Sequence, residues 1–381
     1  MRILIVGNDS NAYSLAKTFS TDKDVDVVFA APGNKFISDF AQCVDISDKN
    51  NEELLDFVVA NEISLTVVTS VAAIENDIAG YFADFRRNIF APSYCAAFPA
   101  LYKSASKKLL YKLKVPTVKF GIFDRENQAV GYVSENRIPL LIKTDSNVDK
   151  ESRVLVNSFS QAKNVIEKIF MQPENKVVIE DYIDSNMVSL YFITDGYSAL
   201  PIGSCACDKD SSYSVFSPDN VLTDKLLGSI LNMAVYPYID YCASNNNHYS
   251  GIIGVDLLVQ DDDFKVTELY PFFKEIHLQS ILPLIDVNLA ELMLSVAVGS
   301  FSDDYDYISF KDKCVYSKIT DRTIFTDEVS KYDDENLFYA HTNNGKLILS
   351  QTARTYSRAK NNLDSSVFFL LKNSEKEAPV E

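Results

Sequence analysis

Ile138-Pro-Leu-Leu-Ile-Lys143 is a short apolar run ending on a lysine, and the ten residues after it, Thr144-Asp-Ser-Asn-Val-Asp-Lys-Glu-Ser-Arg153, contain no glycine. The run predicts a strand over 138–143 with Lys143 at its end. Two other charged points flank it along the chain. Lys107 sits in Lys103-Ser-Ala-Ser-Lys-Lys-Leu-Leu-Tyr-Lys-Leu113, whose pattern predicts an amphipathic helix over 101–113, stopped by Val115-Pro116. Glu268 sits in Phe264-Lys-Val-Thr-Glu-Leu269, one arm of a predicted hairpin with 254–259 across Asp261-Asp-Asp263. Strand alternation places Thr267 and Leu269 on one face and Glu268 on the other, from which a carboxylate can enter a cleft.

Around these points the chain divides into three. The first hundred residues alternate strand and helix. Strands are predicted over 2–6, 25–30 and 65–69, and helices over 11–19, 51–61 and 74–85. That rhythm implies a parallel sheet covered on both faces. A shift follows near Pro92–Pro99. Beyond the lysine helix come strands over 117–123 and 138–143, and a helix to Phe170 capped by Ser160. Strands follow over 176–183 and 188–194, and Asp195-Gly196 reads as a hairpin turn. Helices are predicted near 222–242 and over 288–299. The last part carries strands over 315–319, 336–340 and 346–350 and a closing helix over 355–371. The polar end, 373–381, reads as a disordered tail. The fold class is therefore α/β. Its parts are a parallel Rossmann-like N-terminal domain (1–98), a middle domain (99–303) with a mobile lid near 117–183, and a small β-rich C-terminal domain (304–372).

The bulk numbers bound the function. At 381 residues with 47% hydrophobic content the chain has room for several cores. A net charge of −17 provides no global field for nucleic acid or anionic lipid. Only 12 glycines are present, so backbone phosphate cradles are scarce. The chain opens directly on a strand, which predicts no secretory signal, and no apolar run reaches the roughly 20 residues needed to cross a bilayer. The six cysteines (43, 95, 205, 207, 242, 314) read mostly as buried free thiols of a reducing cytoplasm. Cys205-Ala-Cys207 lacks the further ligands of a zinc site.

Seven motifs in order carry a resemblance. They are Ile3-Leu-Ile-Val-Gly7 with Tyr13-Ser-Leu-Ala16; Ala31-Pro-Gly-Asn34; Ala91-Pro-Ser93 with the lysine helix; Val115-Pro-Thr117; Leu141-Ile-Lys143; Val177-Val-Ile-Glu-Asp-Tyr-Ile183; and Asn336-Leu-Phe-Tyr-Ala-His341 with Gly345-Lys-Leu-Ile-Leu349. Together they resemble the phosphoribosylamine–glycine ligase family of ATP-grasp enzymes, over nearly the whole chain. The resemblance implies a Rossmann-like pre-ATP-grasp domain, an ATP-grasp domain and a C-terminal β domain, with ATP and Mg²⁺ as cofactors. It implies that Lys107 and Lys143 contact ATP, where a compact flexible charge suits phosphate. It further implies that Glu180, Asp181 and Tyr182 form the hinge framing adenine, and that Glu268 holds Mg²⁺.

The departures from that pattern fall on the same chemistry. The family's lid is glycine-rich, whereas this chain places Asp145, Asp149 and Glu151 there. Asn186 and Met187 stand where an acid meets the ribose hydroxyls. Tyr270 replaces the metal-binding Asn, and Phe272 an Arg. The long substrate loop after Gly203-Ser204 is reduced to 205–213, and the N-terminal Gly-Gly-Arg-Glu-His pattern has become Asn8-Asp9-Ser10-Asn11-Ala12.

Each site residue also has an ordinary reading. Lysines on a helix or at a strand end are commonly solvated, Glu180-Asp181 can close a strand, and Glu268 can be a surface acid. His248, His277 and His341 have no triad spacing, although His277 lies with Lys274 and Glu275 just after the Glu268 strand. Tyr270, Phe272 and Phe273 read as cleft filling. Three functions stay open. One is an ADP-forming ligase joining a small carboxylate to an amine through an acyl phosphate. A second is an inactive relative that keeps the fold and binds a protein partner. The third and least favoured is an active glycinamide ribonucleotide synthetase with unusual loops. No catalytic residue is assigned.

Overall fold

The computed structural model describes residues 1–145, 153–171, 176–208, 214–320, 334–342 and 346–377. Among these residues the strands form three sheets. The N-terminal sheet has five parallel strands, with Arg2–Gly7 between Val27–Pro32 and Leu65–Val68. Residues 3–6 are completely buried, as a parallel strand covered by helices on both faces requires. The helix Ser10–Ser20 follows directly, and Asp9 caps it by accepting from Ala12 N at 2.8 Å.

The middle of the chain builds the other two sheets. A four-stranded antiparallel sheet orders Phe120–Phe123, Val177–Asp181, Leu140–Thr144 and Arg153–Val156. Helices Glu126–Glu135 and Phe159–Phe170 pack on it around Ala129, Val133, Ala162 and Ile166. An eight-stranded sheet runs Asp263–Tyr270, Gly251–Gln260, Asn186–Thr194, Ala199–Cys207, Ser214–Ser217, Cys314–Ile319, Leu347–Ala353, Leu337–His341. The C-terminal β region is antiparallel and continues this sheet edge to edge, joined where Ser214–Ser217 pairs with Cys314–Ile319. One core joins the N-terminal sheet to it through Tyr13, Phe19, Tyr191, Tyr270 and Phe301. Truncating a fully buried ring such as Phe19 or Phe301 to alanine costs about 3–5 kcal/mol.

Several element boundaries differ from the sequence reading. The helix over 101–113 runs Lys103–Lys112, and a further helix, Tyr94–Leu101, precedes it and is separated from it by the extended Tyr102. The helix over 74–85 divides into Val71–Glu75 and Ile78–Asp84 at Asp77, which is left-handed (φ 52°) and whose carboxylate accepts from Tyr94 N at 2.7 Å. Ser158, not Ser160, caps the helix ending at Phe170, accepting from Gln161 N. The helix near 222–242 carries a π-helical turn, Leu231–Val235, just ahead of Pro237. Proline lacks the N–H an α-helical ladder needs and clashes with the carbonyl four residues back. The closing helix runs Tyr356–Glu377, so residues 373–377 belong to it rather than to a disordered tail. Cysteines are less buried than read: Cys205 and Cys242 are buried, Cys43, Cys95 and Cys207 are exposed, and Cys314 is between. No described helix is long and apolar enough to cross a membrane.

Candidate active site

Four of the sequence-predicted residues meet between the two middle sheets. Lys107 comes from the helix Lys103–Lys112, Lys143 and Glu180 from neighbouring strands of the four-stranded sheet, and Glu268 from the edge strand of the eight-stranded sheet. In the pairing of those neighbours, Leu141 is opposite Glu180 and Lys143 opposite Val178. Residues two apart share a face, so Lys143 and Glu180 project to the same side. Lys107 Nζ lies 3.0 Å from Glu180 Oε1, and Lys143 Nζ lies 2.9 Å from Glu180 Oε2. Lys143 Nζ also donates to Glu268 Oε1 at 2.7 Å. Lys107 donates to Thr117 Oγ1 at 3.1 Å, and that hydroxyl donates to Val266 O at 2.6 Å.

Both lysines are buried, at 1% and 2% exposure, so the solvated reading does not hold for either. Burial pulls Lys107 below the usual lysine range, although Glu180 opposes it. Burial would lower Lys143 too, but the carboxylates of Glu268 and Glu180 outweigh it and hold its proton more tightly than usual. Burial would raise Glu268, and the ammoniums of Lys143, Lys274 and Lys103 overcome that and keep it ionised well below the carboxylate range. Lys103 is lowered to about 8, chiefly by burial. Lys143 and Glu268 are therefore both charged near neutrality.

Sequence reading missed Asp256 and Ser189 in this cluster. Asp256 lies directly opposite Glu268 on the neighbouring strand. Its Oδ1 accepts from Ser189 Oγ at 2.5 Å and from Tyr270 Oη at 2.7 Å, and its Oδ2 is paired with Lys274 Nζ. Tyr270, expected as filler, is therefore also a donor. Asp145 does not turn towards the cleft as expected. Its carboxylate accepts from Ser104 N at 2.7 Å and Ser104 Oγ at 2.8 Å, and its carbonyl from Lys103 N, so it closes the N-terminus of the lysine helix. The signal for Asp256 was an acid inside a strand of otherwise apolar residues, Gly251-Ile-Ile-Gly-Val-Asp-Leu-Leu-Val259.

Other expected residues are not gathered here. Asp181 is half-buried and Tyr182 exposed, and they line a separate open cavity of about 430 Å³ with Lys119, Asn136 and Arg137. His277 is buried, hydrogen-bonded through Nδ1 to Tyr191 Oη at 2.7 Å, and burial lowers it to about 3. It is a neutral core imidazole. His341 stacks on Phe36 at 4.1 Å, and His248 lies beside Tyr197. No His triad exists among them. Asp149 and Glu151 of the lid and residues 209–213 of the short loop lie outside the described residues.

The donor set fits a polyphosphate by chemistry: Lys103, Lys107, Lys143 and Lys274 bring four ammoniums into one electrostatically connected cluster. The set does not fit a divalent cation held by the protein. Such a cation takes hard oxygens as ligands. Here both oxygens of Asp256 are engaged and Glu268 Oε1 is held by Lys143. Among the described residues no three His, Cys, Asp or Glu side chains are placed to hold a metal ion.

The comparisons agree with this architecture. The family model "Phosphoribosylglycinamide synthetase, N domain" matches residues 1–98, and "Phosphoribosylglycinamide synthetase, ATP-grasp (A) domain" matches 102–277. The phosphoribosylamine–glycine ligase of Lactococcus lactis subsp. lactis is 29% identical over 311 residues, covering 79% of this chain and 76% of that protein. The crystal structure of the Thermotoga maritima phosphoribosylamine–glycine ligase superposes with a TM-score of 0.76 at 14% identity, covering 95% of each chain. A biotin carboxylase–β-γ-ATP complex from Campylobacter jejuni superposes with a TM-score of 0.70 at 15% identity, covering 94% of this chain and 88% of that one. The two family models together span most of the sequence in the expected order, and the chain belongs to the phosphoribosylglycinamide synthetase family of the ATP-grasp superfamily.

Proposed function

We propose that this protein binds ATP at the Lys107–Lys143 cluster and acts as an ADP-forming ligase joining a small carboxylate to an amine. The observation that carries this reading is the convergence of two buried lysines, from a helix and a separate sheet, on the single carboxylate Glu180. Burying charge is costly, and a site that keeps two ammoniums out of water has a use for them. The relatives' printed activity, phosphoribosylamine–glycine ligation, supports carboxylate–amine chemistry. The β-γ-ATP complex of the biotin carboxylase fold-mate supports a nucleotide as ligand.

In the reaction, a carboxylate oxygen attacks the γ-phosphorus and the bond to ADP breaks. The amine nitrogen then attacks the acyl carbon, the phosphate leaves, and the amine gives up a proton as the amide forms. Lys107 and Lys143 would hold the phosphate chain and offset charge on its oxygens during transfer. Glu180 holds both ammoniums towards the cleft, which pre-organises them. Asp181 and Tyr182, on the adjoining hinge, would border the adenine.

A second reading is favoured by the balance of charge. Glu180 and Glu268 already neutralise the two lysines, so a phosphate chain must compete with them. In this reading the protein binds nucleotide weakly or not at all and serves as a binding partner for another protein.

Calorimetric titration of ATP into the wild-type protein and into Lys143→Ala separates the two. Binding that the variant loses supports the first reading, and ADP release is then screened with pairs of small carboxylates and amines. Absence of heat in the wild-type protein sinks the ATP reading.

A further inference from the structure

Asp256 and Glu268 face each other across neighbouring strands, and both are buried. Two ionised carboxylates so placed repel one another and need a cation between or beside them. Lys143 already donates to Glu268 Oε1, and the cation on Asp256 is likewise part of the chain. Lys274 follows the Glu268 strand after the turn Pro271-Phe-Phe273, and its ammonium returns to Asp256 Oδ2. It passes over the Tyr270 ring, 4.3 Å from the centroid, and its field reaches Glu268 as well. Its backbone is anchored: Lys274 N donates to Tyr191 Oη at 3.3 Å, and Lys274 O accepts from His277 N at 3.1 Å. Tyr270 and Ser189 complete Asp256 from the other side.

We propose that Lys274 is a tethered cation for the Asp256–Glu268 pair, standing where a divalent ion would otherwise be held, so that this site needs no metal ion of its own. A fixed ammonium supplies one positive charge and three hydrogen-bond donors, at a set position and at any metal concentration. It cannot polarise an oxygen as a small divalent ion does. The tether therefore suits retention of a nucleotide better than rapid phosphoryl transfer. The inference for nucleotide binding rests on the ATP reading above, whereas the inference for the carboxylate pair does not.

The test begins with Mn²⁺ titrated into the wild-type protein and followed by electron paramagnetic resonance. All added ion is expected to remain free, and one tightly held Mn²⁺ per wild-type chain overturns the proposal. Lys274→Met frees Asp256 Oδ2 beside Glu268, which keeps its Lys143 partner on Oε1, and is expected to gain one Mn²⁺ site, which Lys274→Met/Asp256→Asn loses. A folded Lys274→Met chain that takes up no Mn²⁺ also overturns it. Lys274→Arg keeps the charge and is expected to exclude Mn²⁺ as the wild-type does. Should Lys274→Met fail to fold, the wild-type titration and the Lys274→Arg result still decide.

Nucleotide binding supplies the second arm. ATP affinity in EDTA is expected to match that in Mg²⁺ within about two-fold, whereas a loss of about ten-fold, roughly 1.4 kcal/mol, marks a metal requirement and overturns the proposal. If ATP binds in neither buffer, the ATP reading falls while the Mn²⁺ result stands by itself.

Discussion

Lys143 Nζ donates to Glu268 Oε1 at 2.7 Å, and this one hydrogen bond ties the four-stranded sheet to the eight-stranded sheet. Lys143 is thus both the centre of the candidate site and a brace between two parts of the fold. Replacing it with Met leaves Glu180 and Glu268 buried with less positive charge. Removing one partner of a buried pair costs about 3–5 kcal/mol. Urea unfolding of Lys143→Met is expected to show a loss of that size, and Lys143→Met/Glu268→Gln to recover part of it. A loss below about 1 kcal/mol, the range of an exposed pair, would mean that water reaches these groups.

Gly254 tests the placement of Tyr270. A Cβ at Gly254 would lie 1.9 Å from the Tyr270 ring, which holds its hydroxyl on Asp256. Gly254→Ala must therefore displace a fully packed ring, and overpacking of this kind costs about 1–3 kcal/mol. The measurement is the urea midpoint, and an unchanged midpoint would show that the ring is free to move.

Asp9 gives stability an unusual pH dependence. Burial outweighs the hydrogen bond it accepts from Ala12 N and raises it from the ordinary 3.8 to about 6. The folded state therefore binds this proton more tightly than the unfolded state. The contribution is complete below about 3.8 and is lost as pH rises through about 6. Asp9→Asn keeps a capping oxygen and removes the charge. At pH 7 the variant is expected to be more stable by on the order of 2 kcal/mol, with no gain at pH 4. Equal effects at both pH values would refute the assignment.

His277 acts in the opposite direction. Burial lowers it from 6.5 to about 3, so the unfolded chain takes up this proton first. Its contribution is complete above about 6.5 and is lost as pH falls towards about 3. In an Asp9→Asn background, thermal midpoints are expected to fall from pH 6.5 downwards, and His277→Gln to flatten that slope. An unaltered slope would mean that other groups govern the acid limb.

Much of the fold is legible in short stretches of the chain. The apolar strand Arg2–Gly7, the Asp195-Gly196 turn and the hairpin arms at 251–260 and 263–270 stand out, because period-2 and buried-strand patterns are local. Breaks inside helices are less legible. Nothing local in Asp77 demands a stop. Asp77 breaks its helix by accepting a hydrogen bond from Tyr94, seventeen residues on.

The site divides in the same way. Lys107, Lys143, Glu180 and Glu268 could each be picked out from local motifs. Only the tertiary structure decided that the two lysines are buried, that Glu180 holds both, and that Asp181 and Tyr182 stand apart. Asp256 and Lys274 were invisible as a pair, because their contact depends on a turn after Tyr270 that folds the chain back over its own strand. Sequence by itself determined which residues have charge, apolar surface or a turn to offer, since those are properties of single residues and short spacings. The partners of each charge were decided by packing, because a buried ion is stable only where the folded chain brings its counter-charge within a few ångströms.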